Sequence, residues 1–145
     1  MKKLLVATDG SKIAGKAVEQ AKELQRCFKS NVLLYTNLED GGNYMPDDVR
    51  IKREEEPEKE ESEVLLEDNR HWLKKLADSF PYPEKVTTMV DVGDVSARIV
   101  EQALREEADC IIMGSRGYGS MKSVFLGSSS KYVSQHARCS VFIVK

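Results

Sequence analysis

Neither sign of charge is in surplus in this 145-residue chain: 22 Lys and Arg stand against 24 Asp and Glu, a formal net charge of −2. The basic excess that neutralises a nucleic-acid backbone is therefore missing, and no nucleic-acid partner is expected. No apolar run approaches the ~20 residues that span a bilayer, so no membrane role is expected either. The opening MKKLLVATDG has the basic start of a signal peptide. Its apolar part, Leu4 to Ala7, falls short of the about 7–15 residues such a segment needs, and no targeting is expected. Cysteine is scarce: Cys27, Cys110 and Cys139 are widely spaced, with no CxxC pair. That argues against a disulfide framework and against zinc, and fits a reducing cytoplasm, the expected location. Each thiol lies in or beside an apolar run and reads as a small buried hydrophobe. Histidine is limited to His71 and His136. No Ser/His/Asp or Cys/His arrangement follows from them, and no catalytic residue is assigned.

What is present is a regular alternation. The length suits a single domain over residues 1–145 with one core. Short apolar runs at Lys3–Ala7, Asn31–Thr36, Lys85–Val92, Cys110–Met113 and Ser140–Val144 read as buried strands. Between them lie helical patterns. The first is capped by Ser11 and carries Ile13, Ala17, Ala21, Leu24 and Phe28 at spacings of three and four. The second carries Leu65, Trp72, Leu73 and Leu76. The third runs from Ser96 to Glu107 with Ile99, Val100, Ala103 and Leu104 inward. The last begins at Ser128 with Val133 inside. Residues 37–63 differ: turn residues precede the run REEEPEKEESE, which reads as an acidic surface loop merging into a solvated helix. The alternation predicts an α/β fold, a parallel sheet with helices on both faces. In the usual 3-2-1-4-5 order, ligands sit beyond the carboxyl ends of the strands at the switch point. Asp9 and Gly114 then stand side by side there, and Asp9 reads either as a structural cap of the turn after the first strand or, favoured by its place at a strand's carboxyl end, as a metal-site or phosphate-site carboxylate.

The segment GSRGYGSMKSVFLGSSS carries the chemistry. Gly114 follows a buried strand, Gly117 comes three residues later, and Gly127 opens a helix beginning Ser128, Ser129, Ser130. Glycine lets backbone approach an anion and adopt positive φ. The unpaired N–H groups and dipole of a helix start attract negative charge. Three hydroxyls add donors, and Arg116 and Lys122 add positive charge.

The spacing Gly114-x2-Gly117-x9-Gly127-Ser128 resembles the nucleotide signature of the ATP-binding branch of the universal stress proteins. The opening Leu4 to Ser11, the stretch Ala108 to Gly117, and the end, His136-Ala137 with Val141 to Val144, resemble the same family. The match spans nearly the whole chain apart from about residues 38–63. The resemblance implies the 3-2-1-4-5 sheet and a homodimer built partly through the last strand (Val141, Phe142, Ile143, Val144). It implies bound ATP, or ADP or AMP, with Mg²⁺ near Asp9. Ala7, Thr8 and Asp9 would border the nucleotide, Thr36 would stand near the base, and Met113 and Gly114 would flank base and ribose. Ser115, Arg116, Gly117, Gly127, Ser128, Ser129 and Ser130 would surround the phosphates. Thr36 stands where the family commonly has an apolar residue. Val95, Arg138 and Ser140 stand where prolines are common.

Gly10-Ser11-Lys12-Ile13-Ala14-Gly15-Lys16-Ala17 approaches a Walker A loop, but Ala17 lacks the hydroxyl that would ligate Mg²⁺, and the apolar spacing favours helix. The reading is a dimeric, nucleotide-dependent regulator in stress response. Two others stay open: a slow metal-dependent ATPase or phosphotransferase using Asp9, and a dimeric interaction module without ATP. No convincing general base is found, which disfavours the enzyme.

Overall fold

Leu4, Leu5 and Val6 have no exposed surface, and full burial of each contributes roughly 1.5–3 kcal/mol. A strand buried on both faces belongs in the middle of a sheet, and Lys3–Ala7 (β1) lies there. The computed structural model describes residues 1–38, 61–117 and 126–145. Its further elements are α1 (Lys12–Phe28), β2 (Asn31–Leu38), α2 (Glu61–Asp78), β3 (Val86–Val92), α3 (Val95–Arg105), β4 (Cys110–Gly114), α4 (Ser128–His136) and β5 (Ser140–Val144), with a short 3-10 turn at Pro83–Lys85. The five strands form one sheet in the order β3-β2-β1-β4-β5, every pair parallel. This is the α/β architecture and the strand order expected from the sequence.

Two apolar clusters cover the two faces of the sheet. One packs Ala17, Val18 and Ala21 of α1 and Leu73 and Ala77 of α2 against Leu4, Val6, Leu34 and Ile112. The other packs Ile99 and Ala103 of α3 and Val133 of α4 against Leu5, Tyr35, Ile111 and Met113. Polar anchors join the layers. Gln25 is wholly buried; its Nε2 donates to the carbonyls of Ser30 (3.3 Å) and Tyr82 (3.2 Å), and its Oε1 accepts the Tyr82 N–H (3.1 Å). Asp109 Oδ2 accepts the N–H groups of Lys2 (2.7 Å) and Lys3 (2.8 Å), joining the starts of β1 and β4.

Several expectations need correcting. β2 runs two residues past Thr36, because Asn37 and Leu38 pair with Asp91 and Val92. Residues 37–38 therefore belong to a strand; residues 61–63 open α2, in line with the expected merging into a helix, and residues 39–60 lie outside the described residues. Leu104 is 56% exposed, and its expected inward place is taken by Gln102, which is 4% exposed. The line of α3 that meets the sheet passes through Ile99, Gln102 and Ala103, and Leu104 falls one helical step beyond it. Phe28 is exposed in the last turn of α1. Cys27 beside it is exposed too, Cys139 is half-buried, and Cys110 alone of the three is a buried hydrophobe. Burial pushes the Cys110 and Cys139 thiols above their ordinary range, which opposes thiolate formation. Among the described residues, no helix is long and apolar enough to cross a membrane.

Candidate functional site

The chain leaves β1 for α1 on one face of the sheet and leaves β4 for α4 on the other. Because β1 and β4 are neighbours, a crevice opens between their carboxyl ends. On the β1 side the turn is Thr8-Asp9-Gly10. The Thr8 N–H donates to the Tyr35 carbonyl at 2.9 Å, so β1 keeps its pairing one residue past Ala7. Gly10 takes φ +81°, a conformation open to glycine at little cost. Asp9 Oδ1 accepts the Ser11 N–H at 2.9 Å, and Thr8 Oγ1 accepts the Gly10 N–H at 3.3 Å. Ser11 caps α1 as expected, its Oγ accepting the Ala14 N–H at 3.3 Å. Gly10 to Ala17 therefore forms a turn and the first turns of α1, with no phosphate-cradling loop.

On the β4 side, Met113 pairs with Ala7 and both lie in the cluster beneath α3 and α4. A Cβ on Gly114 would stand 2.9 Å from Ile13 Cγ2 and 3.1 Å from the Ala14 nitrogen. Gly114 is glycine so that α1 can approach β4. Gly117 is glycine for a different neighbour: a Cβ there would collide with Asp9 Oδ2 and lie 3.5 Å from its Cγ. The Asp9 carboxylate thus borders the strand-to-helix segment after β4. Arg116, between them, is half-buried.

Ser115 is 2% exposed and ties three elements together. Its N–H donates to the Val144 carbonyl at 2.7 Å, and its carbonyl accepts the Gly127 N–H at 2.7 Å. That carbonyl also accepts the Ser130 hydroxyl at 2.8 Å. Gly127 is the N-cap of α4 at φ −68°, so positive φ is not what it provides. Ser128 is exposed and Ser129 half-buried. The N–H groups of this first turn have no acceptor within the helix and point out of its end. Ser130 differs from its neighbours, being buried with its hydroxyl turned inward. Lys122 and the rest of 118–125 lie outside the described residues.

The structure therefore brings together Thr8, Asp9, Gly114, Ser115, Arg116, Gly117, Gly127, Ser128 and Ser129. Thr36 follows the Ala7–Tyr35 pair, level with Thr8, and is 3% exposed. On the opposite face of β2, beneath α3, lies a polar cluster that sequence reasoning missed. Tyr35 Oη donates to Asp91 Oδ2 (3.2 Å) and accepts from Asn37 Nδ2 (3.0 Å), while Gln102 Nε2 reaches Asp91 Oδ2 at 3.5 Å. Burial, above all, pushes the Tyr35 phenol well above its ordinary pKa. The signal was available: Asn37 and Asp91 follow inward-facing Tyr35 and Met89 by two residues, so the strand period turns them to the same face.

The family model for the universal stress protein family matches residues 1–145. The chain belongs to the universal stress protein family. Universal stress protein Sll1388 of Synechocystis is 29% identical over 99% of this chain and 97% of its own. The solved structure of hypothetical protein MJ0577 superposes with a TM-score of 0.80 at 28% identity, covering 99% of this chain and 95% of that one. A universal stress protein solved in complex with cAMP (TM-score 0.70, 19% identity, 99% and 97% covered) shares the fold. One from Archaeoglobus fulgidus solved in complex with dAMP does so as well (TM-score 0.62, 19% identity, 100% and 98% covered).

Proposed function

We propose that this universal stress protein is an adenine-nucleotide-binding regulator that holds ATP in the crevice between β1 and β4. The observation that carries the reading is the meeting of Asp9 with Gly117, two residues past Ser115, whose carbonyl holds the N-cap of α4 through the Gly127 N–H. One side of the crevice offers helix N–H groups and the Ser128 and Ser129 side chains, suited to phosphate oxygens. The other offers a carboxylate, which repels a bare polyphosphate and tolerates one that carries a cation. Among the described residues no three metal-ligating side chains cluster. A Mg²⁺ ion would therefore be held by Asp9 together with the phosphates, whose charge it would neutralise. Thr36, level with Thr8, is the proposed neighbour of the base, with Ala7, Met113 and Gly114 as packed floor. The cAMP and dAMP complexes of proteins with this fold accord with an adenine ligand. β5 is the edge strand next to this site, with Phe142 43% exposed, and it is the proposed surface for pairing with a second copy in the cytoplasm.

The test is the nucleotide content of freshly purified protein, released by denaturation and separated by ion exchange, with Gly127→Val as control. The expected result is stoichiometric adenine nucleotide in the wild type and none in the variant. An empty wild type that also shows no thermal shift with ATP and Mg²⁺ overturns the reading.

A further inference from the structure

We infer that Ser130 is a positioning residue, locking the carboxyl end of β4 to the start of α4 and so fixing where the phosphate-binding groups stand. This rests on the nucleotide reading above and deepens it. Ser128, Ser129 and Ser130 look alike in the sequence as three hydroxyls at a helix start. The structure separates them. Ser130 is 2% exposed, and its hydroxyl lies 2.8 Å from the Ser115 carbonyl and 3.0 Å from the Gly127 carbonyl. A hydroxyl has one proton to donate. Directed between these two carbonyls, that proton does not reach a phosphate oxygen outside the helix end.

The same Ser115 carbonyl accepts the Gly127 N–H at 2.7 Å, and the Ser115 N–H is held by Val144 of β5 at 2.7 Å. One buried residue thus fastens the last strand, the end of β4 and the N-cap of α4 at a single point. Residues 116 and 117 leave this neck and residue 126 returns to it. Gly117 is the residue that meets Asp9. The distance between Asp9 and the first-turn N–H groups of α4 is therefore set at the neck, where the Ser130 side chain bonds both the Ser115 and the Gly127 carbonyls. Positioning of this kind raises affinity by reducing the ordering left to be done on binding.

The experiment compares wild type, Ser130→Ala, Ser130→Thr and Ser128→Ala. Amide hydrogen exchange at Gly127 is measured without nucleotide, and ATP and AMP affinities are measured with Mg²⁺. In Ser130→Ala, Gly127 exchange should rise at least tenfold in the nucleotide-free protein. ATP affinity should fall about tenfold and AMP affinity much less, since the phosphates beyond the first lose their aligned donors. Ser130→Thr keeps the hydroxyl and should restore both. Ser128→Ala should weaken ATP without changing Gly127 exchange. Unchanged exchange in Ser130→Ala, or a loss of ATP affinity that threonine does not restore, overturns the inference. A wild type that binds neither nucleotide overturns the reading of the site, while the exchange data still decide whether Ser130 holds the neck.

Discussion

At the scale of single residues, identical amino acids in one motif do different work. Gly114 and Gly117 stand three apart in a phosphate-type signature, yet Gly114 makes room for the first turn of α1 and Gly117 makes room for the Asp9 carboxylate. Neither role is visible in a spacing rule, because both depend on chain more than 90 residues away. Gly117→Ala provides the test. Gly117 is exposed, so stability should fall by no more than about 1 kcal/mol. The carboxylate, however, must swing from its place, and its bond to the Ser11 N–H with it. The Mg²⁺-dependent part of ATP affinity should drop about tenfold, ~1.4 kcal/mol. Isothermal titration with and without Mg²⁺ reads this directly, and an unchanged Mg²⁺ dependence would show that Asp9 takes no part.

At the scale of elements, the strands were legible and their edges were not. Continuous apolar runs marked β1 and β4, since only a strand buried on both faces is apolar at every position. The end of β2 was missed because Asn37 is polar, yet it is buried and its Nδ2 donates to Tyr35 Oη. The starts of β1 and β4 are joined by Asp109, whose carboxyl is held below its usual range by the N–H groups of Lys3 and Lys2. The folded state thus favours the ionised carboxylate. Its contribution is complete above the ordinary carboxylate value near ~4 and is lost as pH falls through the lower folded value. Asp109→Asn should be less stable than wild type at neutral pH, and the gap in urea midpoint should close on acidification below about pH 4. A gap that holds constant down to low pH would contradict this role for the charge.

At the scale of the whole molecule, β3 and β5 are the edges of the sheet. The β5 sequence SVFIV carries no charge to discourage pairing, although edge strands are commonly protected in that way. Under the proposed self-association, Phe142→Asp should convert a dimer into a monomer with its circular dichroism spectrum intact. Phe142 is already partly exposed, and an edge charge costs the isolated subunit little. Sedimentation velocity distinguishes the outcomes, and a wild type that sediments as a monomer throughout removes β5 as an interface between copies.

The sequence alone determined the class of fold, because the alternation of buried strands and amphipathic helices leaves few ways to cover both faces of a sheet. It also determined that a glycine- and serine-rich segment opens the last helix, since those residues are adjacent in the chain. Only the tertiary structure decided what each of them faces. The meeting of Asp9 with Gly117, the neck at Ser115 and the polar cluster around Tyr35 join residues up to 108 positions apart. Such contacts follow from strand order and register, which local propensity does not encode.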